Sequence, residues 1–211
     1  MKEKFSSLKK RFLQININPQ TEWDVVKSEP DSIAWHLKKT VIPISLAIIL
    51  TMLVGYTIAK LRIYNYSFAY VLIKSLDAFC EALFTPYVSF LILYEIFNRM
   101  GISISRTQFF KLIIYSLTIF WLALLSEGIL VNLAGAYSNT EKICNFLKLL
   151  GLYGIFPFWI GMDKLLNIPA EKKNLVVIIT ILVCFIVNVL IQWSFGFALV
   201  SAKYANLILN N

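Results

Sequence analysis

Seven polar side chains interrupt stretches that are otherwise apolar: Lys74, Asp77, Glu81, Glu127, Lys148, Asn188 and Gln192. Lys74, Asp77 and Glu81 follow one another at i, i+3 and i+7, so on a helix they share one face. Such groups can do two kinds of work. Carboxylates in a low-dielectric interior can hold a proton, an ion or a polar headgroup. The same groups can instead pair with the lysines and amides of neighbouring helices and fix helix register, at well under ~2 kcal/mol per contact. Packing is the preferred reading. Three acids against two lysines leave one negative charge over, which keeps a transport site open as the alternative.

The inventory argues against enzymes. The chain has no HExxH, GxSxG or Walker loop, and its single histidine, His36, excludes a histidine-based hydrolase. Asp77 and Glu81 lack the neighbouring motif of an aspartyl intramembrane protease. Cys80, Cys144 and Cys184 are scattered and odd in number, which is neither a zinc pattern nor a disulfide framework. No catalytic, metal-binding or cofactor-binding residue is assigned.

Elements that could position the polar groups follow from hydropathy. Of 211 residues, 58% are hydrophobic and 15% charged, and the mean hydropathy is +0.70. A soluble domain could not cover so much apolar surface. Apolar runs near 41–59, 67–97, 109–133, 145–162 and 174–200 are each near or above the ~20 residues a membrane-spanning helix requires. The fold expected is therefore an all-α membrane protein with five transmembrane helices. The fourth run is the weakest, since it is short and carries Gly151, Gly154 and Pro157. At 1.5 Å per residue, Glu81, Glu127, Lys148 and Asn188 lie roughly 20–27 Å from one end of their runs, so four helices carry polar groups at one level.

Basic residues orient the runs. Fourteen Lys and Arg fall in 1–40, 98–111 and 163–173, and four on the other side. The positive-inside rule then places the N-terminus in the cytoplasm and the C-terminus outside. The net charge of +8 thus meets anionic lipid headgroups, not nucleic acid. No signal peptide, internal repeat or second soluble domain is read.

The first forty residues form a cytoplasmic collar ahead of a transmembrane domain at 41–211. Phe5, Leu8 and Phe12 recur at helical spacing in a basic stretch, as in a helix lying on the inner leaflet. A second short helix is expected after Asn18, with Pro19 at its first position and Pro30 as its stop. Thr21 with Asp24 offers an alternative cap, and Asp31 or Ser32 can cap the helix entering the first span. Trp23, Trp35 and His36 are expected at headgroup level.

The stretch "ININPQTEWDVVKSEP…VIPISLAIILTMLVG" resembles the entry to the Yip-one family, membrane proteins named for interaction with Ypt/Rab GTPases, in its bacterial-type branch. The matching residues are Asn18, Pro19, Thr21, Glu22, Trp23, Glu29 and Pro43. The stretch "LKLLGLYGIFPFWIGMDKLLNIPAEKKNL" resembles a later family passage through Tyr153, Gly161, Leu165, Pro169 and Lys172, with Pro157 and Trp159 as departures. The resemblance implies five spans, a bacterial inner membrane, no catalysis, and action as a scaffold that binds lipid and a membrane or peripheral protein, a second copy of the chain being one such partner. The eukaryotic Rab-binding role does not carry over. The rival is a small transporter or an ion- or proton-conducting subunit using the acid cluster.

Overall fold

In a computed structural model, the described residues are 2–62, 67–133, 143, 146–147, 149–166 and 168–209; side chains of 2–9, 62, 132–133, 150 and 201–209 are not included. The described residues are all helical or irregular. Helix α1 (Lys2–Ile17) and α2 (Pro19–Lys27) lead to α3 (Ile33–His36), which continues through a π segment, Leu37–Val41, into α4 (Ile42–Arg62). Then come α5 (Phe68–Arg99), α6 (Arg106–Ser116), α7 (Thr118–Leu133), a 3₁₀ turn (Leu150–Gly154), α8 (Ile155–Leu165) and α9 (Ala170–Leu209). Four stretches are long and apolar enough to cross a membrane: Ile33–Leu61, Phe68–Arg99, Arg106–Val131 and Ala170–Val200. The chain is a helical integral membrane protein.

Local chemistry explains the breaks. Pro43 has no N–H for the carbonyl four residues back, and its ring crowds that carbonyl. The widened π turn immediately before it accommodates both problems. Helix α5 keeps Pro86 inside its 32 residues without ending. The third run is divided at Leu117, between α6 and α7. The fourth expected run is not among the four long helices. Its described part is the 3₁₀ turn and the 11-residue α8, because Gly151, Gly154 and Pro157 lower helix propensity in the same short stretch. Asn145 and Lys148 lie outside the described residues.

Small residues set the closest approaches. A Cβ on Gly55 would fall 1.8 Å from the Gly128 carbonyl oxygen, and one on Gly128 would meet Thr51 backbone at 2.6 Å. So α4 and α7 cross backbone to backbone, as small residues permit inside membranes. Gly154 plays the same part against the Ser116 carbonyl, where a Cβ would lie 2.3 Å away. Gly151 faces Phe120, Gly154 faces Ser116 and Gly161 faces Leu112, so the 3₁₀ turn and α8 run antiparallel to the segment from α6 into α7. The aromatic core joins α5 to α6 through Phe90, Phe97, Phe109 and Phe110.

The N-terminal segment differs most from expectation. Phe12 and Ile15 are buried, and the Phe12 ring stacks on Trp121 at 5.8 Å. The end of α1 is therefore packed into the bundle and not laid on a leaflet. Asn18 makes no side-chain cap; its N–H continues from α1 to the Gln14 carbonyl. Thr21 bonds back to the Asn18 carbonyl, and Ser32, not Asp31, caps α3. As expected, the helix capped at Ser32 passes through residue 40 into the first span, so the end of the collar and that span share one helix.

Candidate functional site

The first polar centre is the one the sequence picks out. Lys74 Nζ lies 3.5 Å from Asp77 Oδ2 and 3.7 Å from Glu127 Oε1. The Tyr56 hydroxyl donates to Glu127 Oε1 at 3.1 Å, and its ring packs edge-on to Tyr70. Glu81 is fully buried within electrostatic reach of the Lys74 ammonium. Helices α4, α5 and α7 thus bring Lys74, Asp77, Glu81 and Glu127 together, joined by Tyr56, which the sequence reading passed over. Its signal was available: Tyr56 stands beside Gly55, the contact point of α4 on α7.

Asn188 and Gln192 are on α9, where Gln192 Nε2 donates to Asn188 Oδ1 at 3.1 Å along the helix. Both line a cavity with Thr85, Ser116 and Thr180. Lys148 falls outside the described residues. Thr85 stands one turn from Glu81 on α5, so the α5 face that carries Asp77 and Glu81 continues into the wall of that cavity.

A second polar centre was not anticipated as such. Glu29, after α2, receives the Arg11 guanidinium of α1. Tyr115 of α6 donates its hydroxyl to Glu29 Oε2 at 2.9 Å. His36 Nδ1 lies 3.7 Å from the same carboxylate, and His36 Nε2–H donates to the Pro30 carbonyl at 3.0 Å. Lys111 Nζ donates to the Glu29 backbone carbonyl at 2.8 Å. Lys111 was counted with a cytoplasmic link; it is buried inside α6 instead. His36, expected at a headgroup level, is fully buried, because Glu29, Pro30 and Tyr115 surround it.

Trp23 corrects the anchor expectation in the same way. It is fully buried, and its Nε1–H donates to the Pro157 carbonyl at 2.9 Å. A Cβ on Gly161 would sit 2.6 Å from its ring, so only glycine admits the indole there. Tyr153 donates to the Asn16 carbonyl at 3.1 Å, Lys164 pairs with Asp24 at 2.9 Å, and Lys172 reaches the Met100 carbonyl at 3.5 Å. Glu22 binds Arg11 at 3.2 Å. The two stretches that carry the Yip-one resemblance therefore meet in space. Leu165 ends α8 and Pro169 precedes α9.

Among the described residues no group of three His, Cys, Asp or Glu is placed to hold a metal ion. The cysteines described, Cys80 and Cys184, are unbridged. No family model, no curated protein and no solved structure matches this chain.

Proposed function

We propose that the chain is a non-enzymatic, five-crossing membrane scaffold of the Yip-one type, whose fixed cytoplasmic collar binds a protein partner and anionic lipid. The observation that carries it is the collar itself. Trp23, Val26 and Glu29 lock one face of the α2 segment onto the bundle, while Gln20, Asp24, Lys27 and Asp31 stay exposed on the other. A polar face held rigid before it meets a partner loses little entropy on binding. Antiparallel packing of residues 151–161 on 112–120 supports the fifth crossing. The chain leaves α7 at Leu133, roughly 20 Å beyond Phe120 at 1.5 Å per residue, and must return that depth to reach Gly151. The bacterial inner membrane is what the family resemblance implies, and with five crossings the charge split puts the C-terminus outside.

A transporter is the second reading, favoured by the gathering of three buried carboxylates and Lys74 inside the spans. One experiment separates the two. Protein is recovered in mild detergent and its partners quantified for wild type, for Gln20→Arg with Lys27→Glu, and for Glu81→Gln. The scaffold loses partners only with the collar variant. Loss of solute or proton flux in Glu81→Gln, with partners unchanged by the collar variant, overturns it in favour of transport. A reporter after Asn211 that registers cytoplasm removes the five-crossing topology.

A further inference from the structure

A cavity of about 480 Å³ opens between α9 and the 3₁₀ turn with α8, backed by α5 and the α6–α7 break. Along α9 its wall runs from Val177 to Gln192, about 22 Å at 1.5 Å per residue. It is an upright slot against two candidate spans, Ala170–Val200 and Arg106–Val131. Leu149 and Leu152 on one lip, and Leu182, Phe185 and Val189 on the other, are exposed. The slot therefore opens sideways toward the hydrocarbon.

Shape and depth suit an acyl chain. The volume lies in the range of small-ligand sites, about 300–1,000 Å³. The length exceeds the roughly 15 Å of one leaflet's hydrocarbon, half of a ~30 Å core. Lipid tails are as apolar as leucine side chains, so an apolar wall does not prefer one lipid over another. That choice falls to the headgroup, and the foot of the slot meets it. Lys173 stands one turn before Val177, on the same stripe of α9, and pairs with Asp163 of α8. Asp163 stands one turn past the exposed Trp159, on the outer face of α8.

The pair thus joins the two walls of the slot about 6 Å below its first lining residue on α9. The Asp163 side chain is 51% exposed, so its carboxylate has room for a second cation. Lys172 reaches the Met100 carbonyl at 3.5 Å, and an ammonium has three donors, so capacity is left for a phosphate. Cations and a carboxylate side by side at headgroup level mirror a phosphate joined by a short link to an ammonium. We infer that the slot binds an aminophospholipid of the phosphatidylethanolamine class from the leaflet at the basic end. One acyl chain lies between α9 and α8, the phosphate on Lys172 and Lys173, and the ammonium on Asp163. A glycerol head carries no cation for Asp163, and a choline head has no N–H to donate. The site is separate from the collar, and the inference does not depend on the scaffold reading.

The test uses the full chain in nanodiscs of equal phosphatidylethanolamine and phosphatidylglycerol, released into mild detergent and read by native mass spectrometry. Retention of phosphatidylethanolamine several-fold above phosphatidylglycerol is expected. Phosphatidylethanolamine carrying a diazirine midway along one chain should label peptides within 113–120 and 177–192. Val189→Trp, at an exposed position on the lip, should abolish both retention and labelling. Asp163→Asn should keep the labelling and cut the preference over phosphatidylglycerol about fivefold. Equal retention of the two lipids by the wild type overturns the inference. So does labelling that maps elsewhere, or a preference unchanged in both variants. Should Val189→Trp fail to fold, the wild-type competition and Asp163→Asn, at an exposed position, still decide.

Discussion

The two polar centres solve opposite problems. Around Glu29, charges are matched: Arg11 meets Glu22 and Glu29, and Tyr115 and Lys111 complete the carboxylate and its carbonyl. Around Lys74, one described ammonium faces Asp77, Glu81 and Glu127. The first centre joins α1, the end of α2, α3 and α6, elements far apart in sequence, and so fastens a water-compatible segment to the bundle. The second sits wholly inside spans. A charge buried among spans must be met by another charge or by hydrogen bonds, and at the second centre Lys74 and Tyr56 meet the carboxylates from α5 and α4. Charge in this chain thus fastens the N-terminal segment at one centre and joins α4, α5 and α7 at the other.

Removing the collar's main contact should have the largest effect. Trp23→Ala deletes a fully buried indole and its bond to Pro157, so stability should fall by about 3–5 kcal/mol, and limited proteolysis should cut residues 18–30 much faster. Cleavage at the wild-type rate would show that Trp23 does not fasten the collar.

Glu29→Gln comes next. It leaves the Arg11 guanidinium with Glu22 alone and should cost about 3 kcal/mol in detergent unfolding. In a double-mutant cycle, Arg11→Met should add little on top of Glu29→Gln, since both remove one joint. Additive losses would mean that the two residues act separately and that the centre is not a single joint.

At the far centre Lys74→Met should destabilise by about 2 kcal/mol, less than either collar change, because Asp77 and Glu127 can take up a proton in place of the missing cation. A loss larger than that of Glu29→Gln would reverse the contrast between the centres. Tyr56→Phe should be the mildest, near 1 kcal/mol, from one hydrogen bond to Glu127. If Tyr56→Phe instead leaves unfolding unchanged but alters flux in proteoliposomes, the far centre is a site and not a joint.

Much of the cluster at the far end was legible because its three α5 members repeat at helical spacing, and spacing along one helix is a local property. Placing Glu127 with them needed only equal depth. Which side chains Asn188 and Gln192 meet could not be read the same way, because depth does not fix the rotation of a helix about its axis. Contacts with neighbours do that. The fourth run announced its weakness through Gly151, Gly154 and Pro157, but its antiparallel seat on α6 and α7 depends on backbone approaches that no composition reveals.

By itself the sequence determined that this chain lives in a membrane, where the second and third long helical stretches begin and end to within a few residues, and which links carry positive charge. These follow from apolar run length and from local breakers and caps, which act within a few residues. Only the tertiary structure decided that Trp23 and His36 are interior residues, that Lys111 serves Glu29 and that Phe12 reaches Trp121. An amphipathic helix beside a membrane can bury its apolar face equally well in lipid or in protein, and the free energy of that choice lies in contacts with residues more than a hundred positions away.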